Sequence, residues 1–246
     1  MIYAGIMAAG IGVRMHRQDM PKQFLQLGLK PIIVHTLEQF FVNERIDRVV
    51  IVAPSEWVPF TGDLIVKYNL TLKDFDVITG GANKTESISL VARYIENKWG
   101  VHEGDILVAH DAIRPFVTQR IINDNIDTVK EHGAANTAML INDAIVFSAD
   151  GKIVDSVPDH SNIYAEQTPQ SYTLTEMISV LNAVSAAGES LSKEYEFPRL
   201  WLRYGKEMIM VRGEYFNMKI LNPYDLEVAE ALLKEKRRDT SESDLR

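Results

Sequence analysis

Small residues followed by cations make the end of the first strand a candidate anion cradle. An apolar run, Ile2 to Ala9, stops at Gly10 and Gly12, and Arg14 and Lys22 follow. Ala8, Ala9, Gly10 and Gly12 carry little or no side chain. A backbone built from them can approach a ligand closely and converge its N–H groups on anionic oxygens. Arg14 can fork onto phosphate, and Lys22 adds a point charge on a flexible stem. This is the chemistry of a triphosphate site. The G-x-x-x-x-G-K-[ST] loop is absent, and Gly10-Ile11-Gly12 lacks the third glycine of a dinucleotide fold, so two better-known phosphate loops are excluded. Composition alone leaves an ordinary strand-to-helix turn with two surface cations as the alternative.

Three further strings carry polar groups at the ends of apolar runs. His110-Asp111-Ala112-Ile113-Arg114-Pro115 puts an aspartate just past a buried strand. In open parallel sheets that crevice is where ligands bind, and a carboxylate there can hold Mg²⁺. A helix cap or turn is the plainer reading of a single Asp. Gly80-Gly81-Ala82-Asn83-Lys84-Thr85-Glu86-Ser87 follows a strand and opens a helix, which Thr85 or Ser87 would cap. Asn217-Met218-Lys219 falls on an expected late strand, with Lys219 as one more cation. The six histidines form no H-x-x-x-H pair, and G-x-S-x-G is absent, so neither zinc nor a serine nucleophile is indicated.

Positioning these groups requires a layered α/β frame. Ile2–Ala8 reads as a buried strand, and a helix opens at Pro31 with apolar Ile32, Ile33, Leu37, Phe40 and Phe41. Arg48–Ala53 reads as a second strand, its Val49-Val50-Ile51-Val52 core fully apolar, as expected where both sheet faces are covered. Strands are expected over 75–79 and 105–110, and helices over 86–98 and 120–131. This alternation indicates one doubly wound, mostly parallel sheet with right-handed crossovers. Beyond residue 135 the runs shorten to 138–141, 144–148 and 152–157, with Asp150-Gly151 as a hairpin turn. Asn222-Pro223 gives an N-cap and N1 for a helix over 224–236. The expected organisation is a single domain over 1–236, with a β-arm at about 138–164 and a disordered tail over 237–246.

Composition narrows the function classes. The chain has 246 residues, 46% hydrophobic, and a formal net charge of −8, so it lacks the basic footprint of a nucleic-acid binder. An acidic protein that binds a triphosphate must concentrate its cations locally, as Arg14, Lys22, Lys84 and Lys219 could. There is no cysteine, which excludes disulfides, thiolate catalysis and Cys-ligated zinc. No apolar segment reaches the length of a membrane span, and a cytoplasmic location is expected.

Taken together the strings resemble one family. Residues 7–24 resemble the signature loop of the sugar-phosphate nucleotidyltransferases, and Pro21-Lys22-Gln23-Phe24 is similar to the branch holding the methylerythritol-phosphate and ribitol-phosphate cytidylyltransferases. His-Asp-Ala-x-Arg-Pro at 110–115 resembles that branch's metal-binding motif. Asn217-Met218-Lys219 with Asp225-Leu226 resembles its Asn-Ile-Lys…Asp-Leu motif, and Thr168-Pro169-Gln170 its Thr-Pro-Gln string, read as a structural floor. The resemblance implies a Rossmann-like nucleotidyltransferase fold, CTP and a polyol or sugar-alcohol phosphate as substrates, and a homodimer clasped by the β-arm. It implies catalytic roles for Arg14, Lys22 and Lys219, with Asp111 holding Mg²⁺. Nucleotide contacts would come from Ala8, Ala9, Gly10, Gly12, Gly80, Gly81, Ala82, Asn83, Ser87 and Ala112, the Gly80–Ser87 loop reading cytosine. Arg114 would brace its loop by pairing with a neighbouring carboxylate.

Departures gather on the acceptor side. His160 stands where the family usually has an arginine, and Tyr195-Glu196-Phe197 replaces a Thr-Asp-Ala string, so His160 and Tyr195 become the candidate acceptor ligands. Lys84 replaces a common arginine and keeps its charge. Residues 30–38 and 167–171 resemble the ribitol-phosphate enzymes, whereas Ala8-Ala9-Gly10 has the form of the methylerythritol enzymes. Ribitol 5-phosphate is the slightly preferred acceptor, with methylerythritol phosphate as the alternative. A non-catalytic nucleotide-binding relative is the rival from another class.

Overall fold

The computed structural model describes residues 1–10, 20–191 and 196–243, with side chains as far as residue 235. Seven strands form one sheet in the order β5-β4-β1-β6-β8-β7-β9. Its centre is β1 (Ile2–Met7), flanked in parallel by β4 (Arg48–Ala53) and β6 (Ile106–Asp111). β5 (Asp74–Thr79) extends the parallel set outward. β8 (Tyr164–Thr173) runs antiparallel to both of its neighbours, β6 and β7 (Ala134–Leu140), and β9 (Ile209–Arg212) closes that edge parallel to β7. A short β2–β3 hairpin (Gln26–Leu27, Lys30–Pro31) stands apart.

The central strands are unbroken apolar runs because helices cover both faces. On one face α1 (Ile32–Phe41), α2 (Val58–Lys67) and α4 (Gln119–His132) bury Ile33, Leu37, Ile65 and Ile121 against Ile6, Val49 and Val108. On the other, α3 (Lys84–Trp99), α5 (Leu174–Ala186) and α6 (Phe197–Arg203) bury Val91, Leu181 and Trp201 against Tyr3, Val50 and Leu107. A smaller cluster around Leu27, Phe116 and Ile220 ties the hairpin to α7 (Pro223–Ser243).

From β1 the chain crosses to β4 and β5, then returns past β1 to β6 and continues to the other side. β1 and β6 are therefore adjacent strands whose connections leave in opposite directions. The crevice beyond their carboxyl ends is the ligand position of a doubly wound sheet. It holds Ala8–Gly10 and Asp111.

Several boundaries differ from the sequence expectation. The runs at 144–148 and 152–157 do not form a two-stranded ribbon. They are joined by one antiparallel bridge, Phe147 to Ser156, and Val146, Phe147, Ile153 and Val157 are exposed. An isolated ribbon gains too little burial to persist alone. The run expected over 138–141 belongs instead to the longer β7, in the main sheet. α7 runs on to Ser243, into the tail expected to be disordered over 237–246, since its Lys-Glu-Arg-rich sequence has good helix propensity. Lys219 lies in a loop after β9, not on a strand. Asn222 caps α7 as expected, accepting from Asp225 N at 2.9 Å.

Candidate active site

Backbone approach shapes the cleft first. Gly80 follows β5, and a Cβ there would meet Ala9 Cβ at 2.2 Å, so only glycine lets the two loops touch. Asn83, not Thr85 or Ser87, caps α3, because the helix begins at Lys84: its Oδ1 accepts from Glu86 N at 2.8 Å. Ser87 instead turns inward, and its Oγ accepts from Gly81 N at 3.2 Å. On the opposite wall, Lys22–Phe24 form a 3-10 turn. Gln23 is buried and donates to Ala8 O, which pins the turn against the end of β1 and sets Lys22 at the rim.

The resulting cleft has a volume of about 190 Å³. Of the expected site residues it is lined by Ala8, Ala9, Gly10, Lys22, Gly81, Ala82, Asn83, Ser87, Asp111 and Lys219. Met7, Gln23, Lys84 and Ile113 also line it. Gly80 lies just behind the loop. Ala112 is buried and spent on main-chain bonds, its N to Met7 O and its O to Thr36 Oγ1, so Ile113 faces the cleft in its place. Gly12, Arg14 and Tyr195 lie outside the described residues. His160 sits in the 3-10 turn at 160–162, away from this cleft.

Asp111 is buried at the base of the cleft, only 4% exposed. Lys219 Nζ is 3.0 Å from its Oδ2 and Arg114 Nε 3.3 Å, while Lys84 Nζ is 3.9 Å from Oδ1. Burial works to raise its pKa, but the lysines and Arg114 outweigh it and hold the carboxyl well below the usual range. Lys84 also reaches Glu196 Oε2 at 3.4 Å. Arg114 braces the loop as expected, donating as well to Asn217 O at 2.9 Å. Lys84 was expected only as one of the locally gathered cations, and the structure adds its contact with Asp111. Gln23 and Glu196 were not among the expected site residues, and nothing local marks Glu196.

His110, one residue earlier, is fully buried, and burial pushes its pKa down to about 3. A histidine neutral when folded but ordinary when unfolded contributes stability above about pH 6.5 that is lost as pH falls towards 3. Urea denaturation at pH 7 and pH 5 should therefore show lower stability at pH 5, with a smaller pH difference in His110→Asn. Equal differences in both proteins would contradict this assignment.

A parallel-sheet switch point with small-residue loops, and two lysines and an arginine around one carboxylate, fits a nucleotide-binding transferase of the α/β class. The chain belongs to the 2-C-methyl-D-erythritol 4-phosphate cytidylyltransferase (IspD) family, whose profile matches residues 2–235. It is thus a cytidylyltransferase by family, as the motifs imply. It is 43% identical over 237 residues to the ribitol-5-phosphate cytidylyltransferase of Lactiplantibacillus plantarum, covering 96% of this chain and all of that one. Its fold is similar to the 4-diphosphocytidyl-2C-methyl-D-erythritol synthase of Anaerococcus prevotii, with a TM-score of 0.77, 23% identity, and 95% and 96% of the two chains covered. The Francisella tularensis 2-C-methyl-D-erythritol 4-phosphate cytidylyltransferase superposes with a TM-score of 0.75 at 25% identity, over 93% and 97% of the chains.

Proposed function

We propose that this protein transfers CMP from CTP to a sugar-alcohol phosphate, with ribitol 5-phosphate favoured over methylerythritol phosphate. The observation that carries the reading is the convergence of Lys22, Lys84 and Lys219 with Asp111 at the β1–β6 switch point. Full-length similarity to a ribitol-5-phosphate enzyme favours that acceptor. An oxygen of the acceptor phosphate attacks the α-phosphorus of CTP. The bond from that phosphorus to the bridging oxygen breaks, and pyrophosphate leaves with the electron pair. No protein nucleophile is required. Catalysis rests on alignment and on cations facing the charge that builds on the phosphoryl oxygens.

Arg14 and Lys22 hold the triphosphate, Lys219 adds charge at the α-phosphate, and the small-residue loops supply N–H donors. Among the described residues no three His, Asp or Glu side chains gather as a metal cage. One carboxylate beside a triphosphate site nevertheless suits Mg²⁺, which takes most of its ligands from phosphates and water. Asp111 would hold it, and the ion would neutralise phosphate charge. The arriving triphosphate draws Lys84 and Lys219 off the carboxylate and frees its oxygens.

The exposed apolar segment at 141–163 is assigned to a homodimer contact in this reading, with the partner subunit covering Phe147, Ile153 and Val157. His160 then serves the acceptor phosphate across that contact, with Tyr195 at the acceptor side. No helix among the described residues is long and apolar enough to cross a membrane, and a CTP-consuming reaction suits the cytoplasm.

The Gly80–Ser87 loop selects cytosine, its backbone and the Ser87 hydroxyl meeting the base edge. Pyrophosphate release measured with CTP, UTP, ATP and GTP should show CTP well ahead of UTP, and Ser87→Ala should narrow the gap. Equal use of CTP and UTP by the parent protein would defeat the cytidylyl assignment. Absence of release with every donor and acceptor would favour a non-catalytic binding module.

A further inference from the structure

His110 lies under the cleft, and its hydrogen bonds run toward Asp111. Its Nε2 is 3.1 Å from Arg114 O, a carbonyl that can only accept, so Nε2 carries the proton. Nδ1 then presents a bare lone pair to Thr168 Oγ1, 3.0 Å away, and the hydroxyl donates to it. With its proton committed, the same Thr168 oxygen accepts from Asp111 N at 3.1 Å. The opposite tautomer would face Nε2 against the carbonyl lone pairs and leave the Thr168 hydroxyl accepting twice. Phe40 packs against the imidazole at 5.1 Å between ring centroids, so the ring has little freedom to turn.

The need for this chain of bonds is visible in the sheet. β6 pairs with β8 only as far as Ala109 opposite Gln170, so on that side the Asp111 N–H has no ladder carbonyl to donate to. On its other side Asp111 stays in register with Met7 of β1. The Thr168 hydroxyl thus takes the place of a missing ladder partner where β6 delivers its carboxylate to the cleft.

We propose that His110 is a positioning residue for Asp111, acting through the Thr168 hydroxyl, a role that rests on the cytidylyl-transfer reading. Neither side chain lines the cleft. Their effect falls on the orientation of the carboxylate between Lys84 and Lys219. Thr168→Val keeps the shape and deletes the hydroxyl, and Thr168→Ser restores it. His110→Asn keeps an acceptor oxygen close to the Nδ1 position, whereas His110→Leu removes it.

The test is steady-state kinetics of these four variants and of the Thr168→Val/His110→Leu double variant, with thermal melting alongside. Supporting residues behind a site typically cost about 10–100-fold in activity or metal affinity. Thr168→Val and His110→Leu should lower kcat by that order with little change in KM for CTP or acceptor. Thr168→Ser and His110→Asn should recover most of it, and the double variant should fall no further than the worse single one. Mn²⁺ affinity with CTP present, followed by electron paramagnetic resonance, should show the same order without needing turnover. An inactive parent would defeat the transfer reading, and the Mn²⁺ series would still decide the positioning role. An active parent matched by Thr168→Val, a loss confined to acceptor KM, or equal losses in His110→Asn and His110→Leu would overturn the positioning role.

Discussion

Lys22→Ala is expected to lower kcat by about 10²–10³-fold while CTP binding weakens far less, because losing one contact to transition-state charge costs about 2.7–4 kcal/mol. Structure supports the asymmetry. Pro21 and the buried Gln23 hold the turn that carries Lys22 against the end of β1, so the backbone that bears Lys22 is fixed at the edge of the cleft. A cation carried on a fixed turn needs little backbone reorganisation when the phosphoryl group becomes pentavalent. Rapid-quench measurement of the first turnover would report the chemical step directly. An unchanged kcat would remove Lys22 from the catalytic machinery.

Asp111→Asn is expected to abolish metal-dependent turnover and to destabilise the fold. The carboxylate is buried among Lys84, Arg114 and Lys219. Removing one member of a buried ion pair typically costs about 3–5 kcal/mol. The cost here lies towards the lower end, because Lys84 and Lys219 are partly exposed and can turn to water. The folded carboxyl keeps its charge below its ordinary value, so the contribution is full above about pH 4 and fades as pH falls further. Chemical denaturation of parent and variant at pH 7, with Mg²⁺ titrations of activity, reads both effects. Overlaid metal titrations would reduce Asp111 to a structural residue.

The sheet was legible where burial on both faces demands an unbroken apolar run, as at Val49–Val52 and Ile106–Ala109. It was hidden where buried positions are polar. β8 carries Gln167, Thr168, Pro169, Gln170 and Ser171, mostly polar residues that mark no strand in the sequence yet sit buried. Their partners come from distant segments, such as Asn217 Nδ2 donating to Thr168 O at 2.9 Å and Ser171 Oγ donating to Asn125 Oδ1 at 3.1 Å, and no local pattern announces them. α2 escaped notice because Pro59 and Gly62 weaken its helical signature. The opposite error came at 144–157, where apolar alternation suggested strands that this chain does not pair by itself.

In the site, residues grouped in short strings were readable because small loops and cations cluster in sequence. The contact of Lys84 with both Asp111 and Glu196 was not, since it joins three separate elements. Local sequence therefore supplied most of the residues that line the cleft. The acceptor side depends on tertiary placement that no short string announces.

The most direct test of the central claim is the acceptor comparison with CTP as donor. Purified protein is given CTP, Mg²⁺ and either ribitol 5-phosphate or methylerythritol 4-phosphate, and the nucleotide product is identified by ³¹P NMR and mass. The account predicts pyrophosphate and CDP-ribitol in equal amounts, with a higher kcat/KM for ribitol 5-phosphate. Faster turnover of methylerythritol 4-phosphate would reverse the acceptor assignment, and no cytidylyl product from either would contradict the account itself.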